Sequence, residues 1–345
     1  MIYSNIPNTN IKVSKICLGT MTFGQQNSQQ EAHEQLNYAV EKGVNFIDTA
    51  EMYSIPPRKE TQGNSERIIG TWLKDQKREN LVVATKVTGP SNTFKYLRDN
   101  LGFSKAVVHD ALNKSLKRLQ TDYVDVYQLH WPERHTNFFG QLNYKHNENQ
   151  KWKDNFKEVV ETLDGLVKEG KIRHYGLSNE TSWGVMRHLN ESTQNNLTRC
   201  KTIQNPYSLL NRLFEVNLAE ISMHEKVGLL AYSPMAFGTL SGKYLNGNLP
   251  ENSRLKLFPH YTRYNSDQSQ FLIKKYFDLA NELNISLAKL ALAFVNQQPF
   301  VTGNIIGATT IKQLKENIES IHVELSAETL SEIDKIQALQ PNPAP

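Results

Sequence analysis

Eight short apolar runs punctuate the chain, beginning near Ile16, Val44, Leu81, Val124, Ile172, Lys201, Gly228 and Asn304. Between them, apolar residues recur at helical spacing. After Ser28, residues Ala32, Leu36, Ala39 and Val40 share one face, and Ser28 with Glu31 fits a capping box. Segment 104–120 aligns Val108, Ala111, Leu112, Leu116 and Leu119. Segment 154–169 aligns Phe156, Val159, Val160, Leu163 and Val167, then stops at Gly170. The run from Leu81 to Ala84 is apolar without alternation, as in a parallel strand covered on both faces. Strands alternating with amphipathic helices predict βαβ units. No linker rich in Pro, Gly or Ser divides the chain. The pattern therefore predicts one closed (β/α)8 TIM barrel over residues 16–340, in preference to two doubly wound domains.

Residues 1–15 place turn formers at Pro7, Asn8 and Asn10 and predict an N-terminal β-hairpin. Connections 132–153 and 235–268 are too long for plain βα loops and are expected to cover the barrel's C-terminal face. The last helix is expected to start at Ser326, and residues 341–345 read as a loose tail. The net charge of +4 is spread over both signs, which implies no nucleic-acid or membrane footprint. The only cysteines, Cys17 and Cys200, sit in apolar runs and read as reduced core residues. No secretory leader pattern opens the chain, and the longest apolar stretch, 285–295, is too short to cross a bilayer. The expected place is the cytoplasm. The oligomeric state is not legible in any of these patterns.

In a (β/α)8 barrel, side chains at the C-terminal ends of the strands converge. Asp48, Lys86 and His130 end the second, third and fourth runs, and Tyr53 follows the second. Each has a bland reading. Asp48 can cap a turn, Lys86 can reach out to water, and His130 can be a satisfied core histidine. Together they suit one chemistry. A phenol with a reference pKa near ~10 is a proton donor at neutral pH. A unit charge at about 4 Å is worth roughly 4 kcal/mol at an effective dielectric of about 20, which favours the phenolate. Desolvation opposes this, and a moderate net drop in the Tyr53 pKa is expected. Asp48 would keep Lys86 charged, and His130 could donate to a substrate oxygen. The set suits protonation of an oxyanion forming on a carbonyl. It suits neither hydrolysis nor a metal site. No Gly-x-Gly-x-x-Gly fingerprint follows an early strand. The later strand ends are polar instead: Ser178-Asn179, Gln204-Asn205, Tyr232-Ser233-Pro234 and Gly307-Ala308-Thr309-Thr310. In the last of these, Thr310 and Gln313 fit a capping box, and such a helix start is a standard phosphate site. Ordinary caps and turns would look the same.

These segments resemble the aldo/keto reductase family, and within it a bacterial Tas-like branch related to potassium-channel beta subunits. The resemblance rests on Leu18-Gly-Thr-Met-Thr-Phe-Gly24, Phe46-Ile-Asp-Thr-Ala-Glu-Met-Tyr53, Gly63-Asn-Ser-Glu66, Ala84-Thr-Lys86, Asp125-Val-Tyr-Gln-Leu-His-Trp131, Gly170-Lys-Ile-Arg-His-Tyr-Gly-Leu-Ser-Asn179, Gln204-Asn-Pro-Tyr207 and Ala231-Tyr-Ser-Pro234. It implies a barrel that binds NADPH across its mouth and reduces a small-molecule aldehyde or ketone. Tyr53 would be the general acid, tuned by Lys86 and Asp48, with His130 orienting the carbonyl. Ser178, Asn179 and Gln204 would hold the carboxamide, and Tyr232 would stack on the nicotinamide. Ser233, Pro234, Met235, Ala236, Phe237, Lys243 and Arg254 would meet the phosphates. Thr309, Gln313, Glu316 and Asn317 would surround the adenosine, and Gly19, Thr20, Met21 and Gly307 would complete the cofactor lining. No metal is implied.

Three features depart from the family pattern. Residues 54–62 form a longer loop without the usual Gly after the tyrosine, 132–153 is long, and Thr309-Thr310 replaces a common basic residue. Lys243 and Arg254 could supply the missing charge. Substrate choice is expected to depend on 54–62, 132–153 and 255–265. The alternatives are a cofactor-sensing module with vestigial catalysis, and a barrel hydrolase or isomerase without nucleotide.

Overall fold

A computed structural model describes residues 1–345. Strands β1 (Tyr3–Asn5) and β2 (Lys12–Ser14) form an antiparallel hairpin. The chain continues through β3 (Ile16–Gly19), α1 (Gln29–Glu41), β4 (Phe46–Asp48), α2 (Asn64–Leu73), β5 (Val82–Val87), α3 (Lys105–Leu119), β6 (Val124–Leu129), α4 (Phe156–Lys168) and β7 (Ile172–Ser178). Next come α5 (Ser182–Gln194), β8 (Thr202–Pro206), α6 (Leu218–Glu225), β9 (Gly228–Tyr232), α7 (Arg254–Leu257), α8 (Asp267–Glu282), α9 (Leu287–Asn296), β10 (Val301–Ile306), α10 (Ile311–Glu319) and α11 (Ala327–Leu339). Strands β3 to β10 close into a parallel barrel in chain order, with β10 hydrogen-bonded to β3. The fold is a (β/α)8 TIM barrel with an N-terminal hairpin. No helix is long and apolar enough to cross a membrane.

The eight apolar runs are the eight barrel strands. The last starts at Val301, ahead of the expected Asn304, because Thr302 and Gly303 are buried despite their polarity or size. There the register against β9 shifts between Val301 and Gly303. Side-chain parity divides the core in two. On β5, Val82 and Ala84 face inward with Cys17, Phe46, Val126, Leu230 and Ile305, while Val83 and Val87 face the helices. The hairpin's Ile6, Ile11 and Val13 join the inner cluster and close the N-terminal end. Both cysteines are free and buried.

Local signals hold where local hydrogen bonds decide. Ser28 and Glu31 form both bonds of a capping box, at 3.3 and 2.8 Å. Ser326 caps α11. Thr310 caps α10 from the Gln313 N–H, but the Gln313 side chain accepts from the Thr309 N–H at 3.0 Å instead of closing a box on Thr310. In α3 and α4 the stripe shifts slightly: Ser115 and Leu166 are buried, Leu116 and Val167 only partly.

The tail is anchored, not loose. Ala344 is fully buried in the outer core, and its N–H donates to Leu210 O at 3.3 Å. Asn342 Oδ1 accepts from the Arg212 N–H at 2.7 Å, and Pro345 O accepts from Arg263 Nε at 2.7 Å. Ala344→Asp should therefore cost on the order of 2–4 kcal/mol in urea unfolding, since it drives a carboxyl into apolar packing. An unchanged midpoint would mean that the tail does not dock.

Candidate active site

Strand register assembles the site. Asp48 pairs with Ala84, and Lys86 pairs with Gln128, so the ends of β4, β5 and β6 stand side by side. Lys86 shares the inward parity of Val82 and Ala84, and His130 shares that of Val126 and Gln128. Tyr53 enters from the loop after β4. Lys86 is fully buried, and its Nζ donates to Asp48 Oδ2 at 2.6 Å and to Thr49 O at 2.7 Å. An ammonium has three donors, so one remains. Nζ lies 5.0 Å from the centre of the Tyr53 ring. Asp48 Oδ1 accepts from Gln128 Nε2 at 3.1 Å and from Gln204 Nε2 at 2.8 Å. The buried carboxylate is thus satisfied on both oxygens, which a buried ion pair requires.

These contacts set the protonation states. Burial alone would pull the Lys86 pKa down, but the Asp48 carboxylate beside it leads the contributions that outweigh burial, and the net shift is upward. Lys86 stays charged. For Tyr53 the expected drop does not occur. Burial pushes the phenol above its ordinary value, Lys86 pulls it back, and Asp48 pushes it up again. The reason is that burial outweighs the pull of the ammonium, which Asp48 also opposes. Tyr53 therefore holds its proton throughout the neutral range. Burial first, and Lys86 second, push His130 well below the usual imidazole range, so it is neutral. Its Nδ1 is buried without a partner. A proton there would be stranded, which favours the tautomer with Nε2–H facing the cleft.

A cleft of about 600 Å³ opens over this floor. Tyr53, His130 and Asp48 line it, with Lys86 just beneath. Gly19, Thr20, Met21, Ser178, Asn179, Gln204, Tyr232, Ser233, Pro234, Met235, Phe237, Lys243, Arg254, Gly307, Thr309, Gln313, Glu316 and Asn317 line it too. Ala236 does not: it is fully buried in the outer core, beneath a segment whose backbone is left-handed at Ser233, Ala236, Phe237 and Gly238. That tight fold turns the neighbouring side chains toward the cleft and the alanine away from it. Asn179 donates to His130 O at 2.9 Å and accepts from the Tyr232 hydroxyl at 2.7 Å, which fixes that ring. Lys243 and Arg254 have no carboxylate partner and rest on aromatic rings, at 5.2 Å on Tyr244 and 5.0 Å on Phe237. Arg263 lies 5.1 Å from the Tyr264 ring and gives its Nε–H to Pro345 O. The opposite arm of the cleft is apolar, formed by Met52, Ile55, Pro57, Phe94, Trp131 and Phe139. It draws on the loops 54–62 and 132–153 and on Phe94. Gln128 is a site residue that sequence reasoning missed, while Arg263, in the cleft lining, falls within the expected segment 255–265. Gln128 was within reach, because it lies two residues before His130 and so on the same face.

Residues 15–338 match the model of the Aldo/keto reductase family. The chain is 51% identical to "Protein tas" of Escherichia coli (strain K12), over 100% of both chains. It is 32% identical to "Uncharacterized oxidoreductase YrpG" of Bacillus subtilis, over 97% of this chain and 96% of the relative. It is also 30% identical to "Probable voltage-gated potassium channel subunit beta" of Oryza sativa subsp. japonica, over 98% of this chain and 96% of the relative.

Asp48→Asn should destabilise the fold by about 3–5 kcal/mol, because it strands the Lys86 ammonium. Asp48→Asn combined with Lys86→Met should recover much of that loss in the same urea titration. Losses that simply add would show that the two side chains are not coupled.

Proposed function

Because the chain belongs to the aldo/keto reductase family, we propose that this oxidoreductase is an NADPH-dependent reductase of aldehydes or ketones with Tyr53 as its general acid. The observation that carries the reading is Tyr53 beside a buried Lys86–Asp48 pair, on the floor of a cleft that Lys243 and Arg254 also line.

The residues present fit the cofactor. Lys243 and Arg254, free of carboxylates, would meet phosphate groups, and a 2′-phosphate adds about −1.5 to −2 charges for them to neutralise. Ser233, Pro234, Met235 and Phe237 would border the same groups. Thr309, Gln313, Glu316 and Asn317 would surround the adenosine, with Gly19, Thr20, Met21 and Gly307 completing the lining. Tyr232, held by Asn179, would offer its face to the nicotinamide. Gln204 spends its N–H groups on Asp48 Oδ1 and Gln128 Oε1, which leaves its own Oε1 to accept from a carboxamide beside Ser178 and Asn179.

When bound, NADPH supplies a hydride. The protein's own part is the proton. His130 Nε2–H donates a hydrogen bond to the carbonyl oxygen and orients it. Tyr53 Oη gives its proton to that oxygen as negative charge grows there. The phenolate left behind faces the third N–H of Lys86, and Asp48 holds that ammonium in place. The apolar arm excludes water and suits a neutral, apolar group on the carbonyl.

Tyr53→Phe should lower turnover at least about 100-fold, the range of general acid catalysis. NADPH affinity, read by quenching of tryptophan fluorescence, should stay within about twofold, since only the transferable proton is lost. Unchanged turnover would remove Tyr53 from its role. A panel of carbonyls that oxidises neither NADPH nor NADH would remove the reductase reading itself.

A further inference from the structure

Glu51 lies between Asp48 and Tyr53 in the chain, and the chemistry above gives it no part. It is only 1% exposed. Its Oε1 accepts from the Thr88 N–H at 2.6 Å and from Arg98 Nη1 at 2.9 Å, while Oε2 accepts from Arg98 Nη2. Its backbone is tied as well. The Glu51 N–H donates to Lys86 O at 3.3 Å, and Glu51 O accepts from Gln62 Nε2 at 2.6 Å. Thr88 follows Lys86 by two residues, and Tyr53 follows Glu51 by two. One carboxylate therefore bridges the turn that carries the phenol and the strand end that carries the ammonium. Arg98 comes from the connection between β5 and α3, which also carries Phe94 of the apolar arm, and its Nε lies 3.5 Å from Asp110 of α3.

Taking a carboxylate and a guanidinium out of water is costly, and apolar residues would staple a loop as well or better. What apolar packing cannot do is fix direction. Two charge-assisted bonds from a planar fork, plus a backbone N–H, define both the position and the rotation of the Glu51 backbone. Proton transfer between groups on two different strands needs that definition, because displacement by an ångström is enough to cost it.

We propose that Glu51 is a positioning residue, which holds the Tyr53 hydroxyl in range of Lys86 by bridging Thr88 and Arg98. Arg98 orients the carboxylate, and through the same connection it seats Phe94. The inference rests on the reductase reading, but one of its consequences does not need turnover: the titration of the Tyr53 phenol. Loosening Glu51 moves the phenol away from Lys86, so the phenol loses the charge that pulls its pKa down.

The test uses the full chain with a single ¹³Cζ-tyrosine resonance assigned to Tyr53, alongside single-turnover reduction at saturating NADPH. Glu51→Ala should raise the Tyr53 titration midpoint and slow the single-turnover rate at least about 30-fold. Its NADPH affinity should stay within about twofold. Glu51→Gln keeps an acceptor for Thr88 and should lose only about three- to tenfold. Should Glu51→Ala fail to fold, the pair Glu51→Gln with Arg98→Gln removes both charges together and is read in the same way, with a raised midpoint expected. A lower melting temperature with an unshifted Tyr53 midpoint would overturn the proposal and leave a staple. If the wild-type protein reduces no carbonyl, the reductase reading falls, and the Tyr53 midpoint still decides the role of Glu51.

Discussion

A lysine with no exposure to water sits against an aspartate inside the barrel, and most of the upper interior is arranged to tolerate that pair. At 2.6 Å and an effective dielectric near 20, the gross attraction is about 6 kcal/mol. Burying the two ions costs several kcal/mol each, so attraction alone does not hold the pair. The difference is made up by hydrogen bonds: Thr49 O on the ammonium, and Gln128 and Gln204 on the far carboxylate oxygen. Gln204 donates to Gln128 Oε1 as well, so two polar strand ends are committed to one carboxylate. Burial first, and the Lys86 ammonium second, keep His130 neutral, and the ammonium opposes the effect of burial on Tyr53.

The barrel supplies the conditions for this arrangement. Its lower interior is apolar and plugged by the hairpin, so water reaches the pair only from above. Parallel register fixes which residues stand beside one another, and parity fixes which of them point inward. Above the pair, the cleft carries both charged and apolar groups. Its lining includes the cations Lys243 and Arg254, an apolar cluster with Met52, Ile55, Phe94 and Trp131, and the Tyr53 phenol.

Much of this was legible in the sequence, for a physical reason. An apolar run that stops at a single ionisable residue marks a strand end, and Asp48, Lys86 and His130 each end such a run. The Ser28 box was legible because both of its bonds close within four residues. What escaped depended on distance in the chain. The tail docks through Leu210, Arg212 and Arg263, none of them near it in sequence. Glu51 and Arg98 meet across 47 positions. The direction of the Tyr53 shift could not be read either, because it is a contest between depth of burial and two opposed charges. The Thr310–Gln313 pattern shows the limit of a motif: the residue types are those of a capping box, but the glutamine reaches one position further back.

The central claim is that the Lys86 ammonium, held by Asp48, lowers the cost of leaving a phenolate at Tyr53. The direct measurement is the ¹³Cζ titration of Tyr53 in the wild-type protein and in Lys86→Met. The account predicts a midpoint above that of an ordinary tyrosine in the wild type, and a higher one still in Lys86→Met. A midpoint that stays put or falls when the ammonium is removed would contradict it.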